Sequence, residues 1–330
     1  LTDYIALPKA EVHIHVEGCF EADDVIRNCE EAGIPLRAPR DRLFEAHNLK
    51  SFLEMLDWLC GTFRTREQLA STAYKFAQRM ARSGVRYADV IVNPTHWPHW
   101  YKNIPGMIDA FDAGFAAAEE DGHPPVGLCV SLLRTQSAEE AIELVELLSG
   151  IRHPRVVALS IDGNEAVAGR TGPRFAEAFR RAAAAGLRRT VHAGESSGPE
   201  GVRDAIDLLG ADRIDHGVRA IEKPDLVDLL AERQIPLGVC PISNVTLGLY
   251  RSIAEHPIDT LRRAGVPVSI NTDDPALLDT TLEASYAACA DAFAWDGETI
   301  RELAATSVKA SYADPALKAQ VLADLAAWRA

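Results

Sequence analysis

Apolar and polar positions follow two periods that alternate along the chain. Residues 10–16, AEVHIHV, change character at almost every step and predict a strand ended by Glu17-Gly18. Residues 21–32 read as a helix closed by Gly33. In residues 49–60, LKSFLEMLDWLC, the residues Leu49, Phe52, Leu53, Leu56 and Leu59 fall near one helical face. A helix over about 66–82 stops at Ser83-Gly84 and hands over to VRYADVIV, a strand rich in β-branched residues. The handover then repeats: helices at 107–120, 137–149, 173–185, 200–209, 224–233 and 256–264 each precede an apolar stretch, several across a glycine such as Gly186, Gly210 or Gly265. The strands fall near 11–16, 85–92, 126–132, 156–161, 188–193, 213–216, 236–240 and 267–271, and everything from about 281 to 329 is helical.

Eight strands, seven with a helix just upstream and no linker between them, predict an α/β fold: a (β/α)8 TIM barrel in one domain spanning 1–330. A helical insertion at about 40–82 separates strands one and two, and helices at about 281–329 close the chain. An open doubly wound sheet shares the alternation, but it does not fix the strand number at eight. Its glycine-rich dinucleotide turn is also missing from EGCF after the first strand.

Composition narrows the function classes. Hydrophobic residues at 47% and charged residues at 25% fit a globular enzyme. A net charge of -14 disfavours a nucleic-acid footprint, and Arg180, Arg181, Arg188 and Arg189 read as solvated helix ends. The six cysteines include no CxxC pair, so reduced, mostly buried thiols are expected. No basic stretch followed by an apolar one opens the sequence, and no uncharged apolar run reaches 18 residues. A cytoplasmic protein without membrane contact is the expectation.

The reactive side chains cluster at predicted strand ends. His13 and His15 stand two apart and share one face of strand one, as metal ligands or as core histidines held in a hydrogen-bond network. His192 closes strand five, His216 strand six, and Asp273-Asp274 strand eight, all at the end where barrel enzymes assemble their chemistry. Convergence of His13, His15, His192 and Asp273 would offer imidazole nitrogens and one carboxylate oxygen, a set suited to one Zn2+, with iron or another first-row metal as the alternative. Glu195, three residues past His192, suits a proton carrier if enclosed, or else a surface or helix-capping glutamate. His216 has the bland reading of a barrel-rim hydrogen bonder, and Asp273-Asp274 that of a plain turn before Pro275. Most of His47, His96, His99, His123, His153 and His256 are expected on the surface or in loops. The aromatic segment 93-NPTHWPHWY-101 either walls a pocket against a flat ligand or covers the barrel mouth.

The segments 8-PKAEVHIHVEG-18, 191-VHAGE-195, 213-RIDHG-217, 240-CPISN-244 and 271-NTDDP-275 resemble, in order, the signature blocks of the adenosine/adenine deaminase family of metal-dependent amidohydrolases. They span about four fifths of the chain. The resemblance implies a (β/α)8 barrel with one zinc ion on His13, His15, His192 and Asp273. It implies catalytic roles for Glu195 at the purine N1 and for His216 in deprotonating and holding the attacking water, with Asp273 at the metal. Substrate contacts would come from His15, Glu17, Asp274 at N7 and the backbone N–H of Gly163 at N3. The implied reaction is hydrolytic deamination at C6 of a 6-aminopurine by zinc-activated water, releasing ammonia.

Glu17 stands where adenosine deaminases often carry an aspartate that approaches the sugar; Cys19 and Ser160 also depart from the family pattern. With Glu17 projecting toward a sugar and the insertion after strand one available as a lid, adenosine or 2′-deoxyadenosine is the expected substrate. Free adenine and modified adenine nucleosides are the alternatives. Hydrolysis of an amide or phosphoester would call for a metal-bridging lysine, which SIDGNE at strand four lacks. A non-catalytic binding module would leave a full set of proton-transfer residues without a task. The HxE and PCxxC signature of nucleic-acid deaminases is absent.

Overall fold

The computed structural model describes residues 3–46 and 49–329. His47, expected on a loop, and the side chain of Leu49, expected on the apolar face of its helix, lie outside the described residues. Eight strands form one parallel sheet in sequence order: β1 (Lys9–His15), β2 (Val85–Val92), β3 (Val126–Leu133), β4 (Val156–Asp162), β5 (Arg188–Ala193), β6 (Arg213–His216), β7 (Leu237–Val239) and β8 (Val268–Ile270). The seam closes where Ile14 pairs with Asp273. There His15 N donates to Asp273 O at 2.8 Å and Asp273 N donates to His13 O at 3.2 Å. The Asn271 side-chain oxygen reinforces it by accepting from the Val12 and His13 amides at 2.8 and 3.2 Å. The protein is a (β/α)8 barrel, as the alternation predicts.

Strand β1 shows how a barrel sorts its side chains. Val12 and Ala10 point outward and pack with Val308 and Val321 of the closing helices Gly297–Ala310 and Pro315–Ala327. The other face carries Lys9, Glu11, His13 and His15, of which the first three are fully buried. The hydrophobic gain therefore lies at the strand–helix layer, about 1.5–3 kcal/mol for each large apolar side chain buried. The inward face of this strand joins a buried polar network: below the site, Arg213 reaches Asp89 at 2.8 Å and Asp215 at 3.3 Å.

Between β1 and β2 lie the helices Ala22–Ala32, Leu49–Cys60 and Arg66–Arg82. The last begins with a capping box in which the Thr65 side chain and Gln68 exchange hydrogen bonds, a device worth about 1 kcal/mol. All six cysteines are free and buried. Arg180 and Arg181 pair with Glu177 on the helix Gly172–Ala184, but Arg188 and Arg189 open β5 rather than end a helix, and Arg189 is held by Asp212. Among the described residues no helix is long and apolar enough to cross a membrane.

Candidate active site

The C-terminal strand ends converge on one buried cluster. His13 Nε2 lies 3.0 Å from His192 Nε2, and His15 Nε2 lies 3.1 Å from the same atom. Asp273 Oδ1 stands 3.3 Å from His13 Nε2 and 3.4 Å from His15 Nε2. His216 Nε2 is 3.5 Å from Glu195 Oε1 and 3.9 Å from Asp273 Oδ2. Closure of the barrel brings Asp273 between the two β1 histidines, and the register of β5 on β6 sets His192 beside Asp215 and Ala193 beside His216. Both His216 and Asp273 have left-handed backbones, with φ of 66° and 68°. Such conformations cost a non-glycine residue about 1–3 kcal/mol and persist where the surroundings over-determine them.

Hydrogen bonds outside the cluster fix which ring nitrogens point in. His13 Nδ1 donates to Gly238 O at 2.7 Å, so its Nε2 carries a lone pair. His192 Nδ1 faces Asp215 Oδ2 at 3.6 Å, and a carboxylate favours the N–H on that side. In the neutral tautomers two lone pairs face each other at 3.0 Å, an arrangement that a shared cation reconciles: a metal ion, or a proton, since against burial Asp215 and Asp273 raise His13 to about 9. Donor atoms of His13, His192, His216 and Asp273 all lie within 4.8 Å of one another, a group that could hold a metal ion. This donor set, nitrogen with one oxygen and no thiolate, fits zinc.

His216 is oriented by a relay that the sequence reading did not find. The Ile258 amide donates to His256 Nδ1 at 3.2 Å, so His256 Nε2 carries the hydrogen that it donates to Asn244 Oδ1 at 3.0 Å. Asn244 Nδ2 is thereby turned to donate to His216 Nδ1 at 3.3 Å, leaving the hydrogen on His216 Nε2, toward the cluster. His256 is thus buried rather than on the surface, because it anchors this chain. The block CPISN is visible in the sequence, but neither the Asn244 contact nor that of Ser243, whose hydroxyl donates to Asp273 Oδ2 at 2.7 Å, is legible from spacing. Glu165 is a second unforeseen participant: its carboxylate accepts from the amides of Gly194 at 3.0 Å and Glu195 at 2.8 Å, fixing the turn that carries Glu195.

Electrostatics separate the carboxylates. Burial, aided by the charges of Asp273 and Glu165, pushes Glu195 up to about 8. Asp274 is held well above the usual carboxylate range by burial and by its charged neighbour Asp273. Burial opposes the charge of Asp273 as well, but the hydrogen bond and charge of His13 prevail and hold it well below that range. Burial and the adjacent rings keep His192 and His216 well below the ordinary histidine value, hence neutral.

These groups open onto a cavity of about 530 Å³, mouth included, lined by His15, His192, Glu195, His216 and Asp274 on one side and by His96, Asp162 and Gly163 on another. Phe52, Leu53 and Leu56 of the helix Leu49–Cys60 add an apolar part to its lining, so the insertion reaches the site. Gly163 sits at φ 100°, a conformation that suits glycine.

Glu17 departs from its expected position. It is buried and is not among the lining residues; its Oε1 accepts from Trp97 Nε1 at 2.7 Å and from the Asn93 amide at 2.8 Å. Trp97 in turn is fully buried against Phe20, Phe63 and Phe111, so it packs the barrel mouth, whereas His96 of the same segment lines the cavity. His96, expected at the surface, is buried with Nδ1 2.6 Å from Asp57.

Residues 8–328 match the adenosine deaminase family. The chain belongs to this family. It is a hydrolytic deaminase. Among its relatives, adenine deaminase of Streptomyces coelicolor is 34% identical over 98% of this chain and 96% of its own length. Adenine deaminase of Sinorhizobium fredii is 34% identical over 97% of this chain and 98% of its own length. The crystal structure of adenine deaminase from Arthrobacter aurescens superposes with a TM-score of 0.92 at 30% identity, covering 98% of this chain and 99% of that one.

Proposed function

We propose that this deaminase acts on free adenine, converting adenine and water to hypoxanthine and ammonia, with the chain working as one catalytic domain. The expectation of a nucleoside rested on Glu17 reaching a sugar. The observation that carries the base instead is the engagement of Glu17 Oε1 by Trp97 and Asn93, with Glu17 not among the residues that line the cavity. Full-length similarity to adenine deaminases supports the same choice.

The residue roles follow from the chemistry. His13, His15, His192 and Asp273 would hold the zinc ion; His216, with its hydrogen on Nε2, is left as a donor beside them. A zinc ion bound there supplies the Lewis acidity that makes water nucleophilic near neutral pH. Glu195, protonated at neutrality, donates to the ring N1 and so draws electron density from C6. The carboxylate left behind takes a proton from the attacking water, passes it to the leaving amino group so that ammonia departs, and is reprotonated from the oxygen at C6. The His216 N–H hydrogen-bonds the oxygen developing at C6, which gives it the holding part of the role implied by the resemblance. Asp274, kept as the acid, donates to the N7 lone pair, and the backbone N–H of Gly163 is assigned to N3. Phe52, Leu53 and Leu56 exclude bulk water from the ring faces.

The test is ammonia release from adenine, adenosine, 2′-deoxyadenosine and a modified adenine nucleoside, compared as kcat/KM. Adenine is expected to exceed every nucleoside by at least about 100-fold, the scale at which a buried polar site rejects a poorly matched substrate. Equal or better turnover of adenosine would overturn the choice of the base and leave the deaminase chemistry standing.

A further inference from the structure

The barrel mouth is divided between two polar sectors. The ends of β1, β5, β6 and β8 carry the histidine–aspartate cluster, with Glu195 just beyond β5. Across the mouth, the ends of β2 and β4 bring Asn93 against Asp162. Asp162 is 5% exposed and lines the cavity. Its Oδ1 accepts from Asn93 Nδ2 at 2.5 Å. Asn93 cannot turn away, because its own Oδ1 accepts from the Thr95 amide at 3.1 Å and the Thr95 hydroxyl at 2.7 Å. The second oxygen of Asp162, Oδ2, is shut off from solvent and has no hydrogen-bond partner among the described residues. Glu17 Oε2 and Ser160 Oγ are also unpartnered, but neither residue lines the cavity. A buried carboxylate oxygen without a donor costs about 1–3 kcal/mol or more, and a native protein retains one where something else completes it.

We propose that Asp162 accepts the ring N9–H of the free purine base and thereby sets the preference for adenine over N9-substituted purines. The inference rests on the proposed function. In a 6-aminopurine the reacting carbon lies between N1 and N7, and the opposite edge carries N3 and N9. With C6 at the cluster and N1 at Glu195, that opposite edge faces the β2–β4 sector and Asp162. In the free base N9 bears a hydrogen for the unpartnered oxygen. In a nucleoside it bears a sugar carbon, which offers no donor and crowds a side chain that Asn93 holds in place. Loss of one such bond in a site built around it rejects a substrate by as much as roughly 10⁴–10⁵-fold.

The experiment compares adenine, adenosine and 9-methyladenine as substrates, and hypoxanthine and 9-methylhypoxanthine as ligands by calorimetry, for the wild type, Asp162→Asn and Asp162→Ala. Wild-type preference for adenosine would overturn the substrate reading whatever Asp162 does. With adenine preferred, the wild type should favour adenine over 9-methyladenine by at least about 100-fold. Asp162→Ala should lower adenine kcat/KM on the order of 100-fold, chiefly through KM, while 9-methyladenine holds or improves, so that the ratio collapses. A ratio unchanged in a folded, metal-replete variant overturns the assignment to Asp162. Should neither variant fold, the wild type decides: hypoxanthine is expected to bind at least about tenfold more tightly than its 9-methyl form, and equal affinity overturns the proposal.

Discussion

Gly18 lies so close to Asp274 that a Cβ on the glycine would stand 2.6 Å from the Asp274 Cβ. The approach is locked by the Ala276 amide, which donates to Gly18 O at 2.9 Å. Asp274 therefore owes its position in the cavity to a missing side chain on the turn after β1. Gly18→Ala should displace Asp274 and lower kcat/KM for adenine by about 10–100-fold, with metal content unchanged. Steady-state kinetics with metal analysis checks this, and wild-type rates would show that Asp274 has no fixed task at the purine.

Replacing His15 and His216 separates two metal-binding sets that share His13, His192 and Asp273. The orientation of His216 by Asn244 leaves its inward nitrogen protonated, whereas His15 stands 3.1 Å from His192 and 3.4 Å from Asp273. His15→Ala should lose most of the bound zinc, measured by mass spectrometry after dialysis. His216→Ala should retain about one equivalent while losing turnover by about 100-fold or more. The reverse pattern of occupancy would make His216 the ligand.

Glu195 sets the alkaline limit. Its pKa, raised to about 8 in the folded protein, means that the acid form predominates below that pH and is lost above it. Adenine kcat/KM should consequently fall as pH rises through about 8. Glu195→Gln should keep its metal and bind hypoxanthine, yet lose at least about 100-fold in kcat, because an amide supplies no carboxylic proton. A profile flat to pH 10 in the wild type contradicts the acid role.

His256 should act on the chemistry at a distance. Burial holds its pKa down to about 3, so it stays neutral and keeps the tautomer that turns Asn244. His256→Phe should lower kcat about tenfold or more with KM nearly unchanged, as expected for misplaced transition-state stabilisation. Nitrogen NMR of the labelled His216 ring distinguishes orientation from general destabilisation: the variant should lose the single tautomer, and a retained Nε2–H signal would remove the relay from the mechanism.

The sequence by itself determined the periodic part of this protein. Strand–helix alternation is a local property, so all eight strands were legible within a residue or two, and the α/β barrel followed from their number. The inward face of His13 and His15 followed from strand alternation, and placement at strand ends marked His192, His216, Asp273 and Glu195 as a site. Tertiary structure alone decided the contacts made at right angles to the chain. Glu17 looked free to meet a sugar until the fold brought Trp97, eighty residues on, against its carboxylate. His256 looked like a loop residue until Asn244 reached it, and nothing marked Asp162 within SIDGNE until Asn93 held one of its oxygens and left the other bare. A hydrogen bond between distant segments depends on barrel closure and side-chain direction, neither of which leaves a period in the sequence.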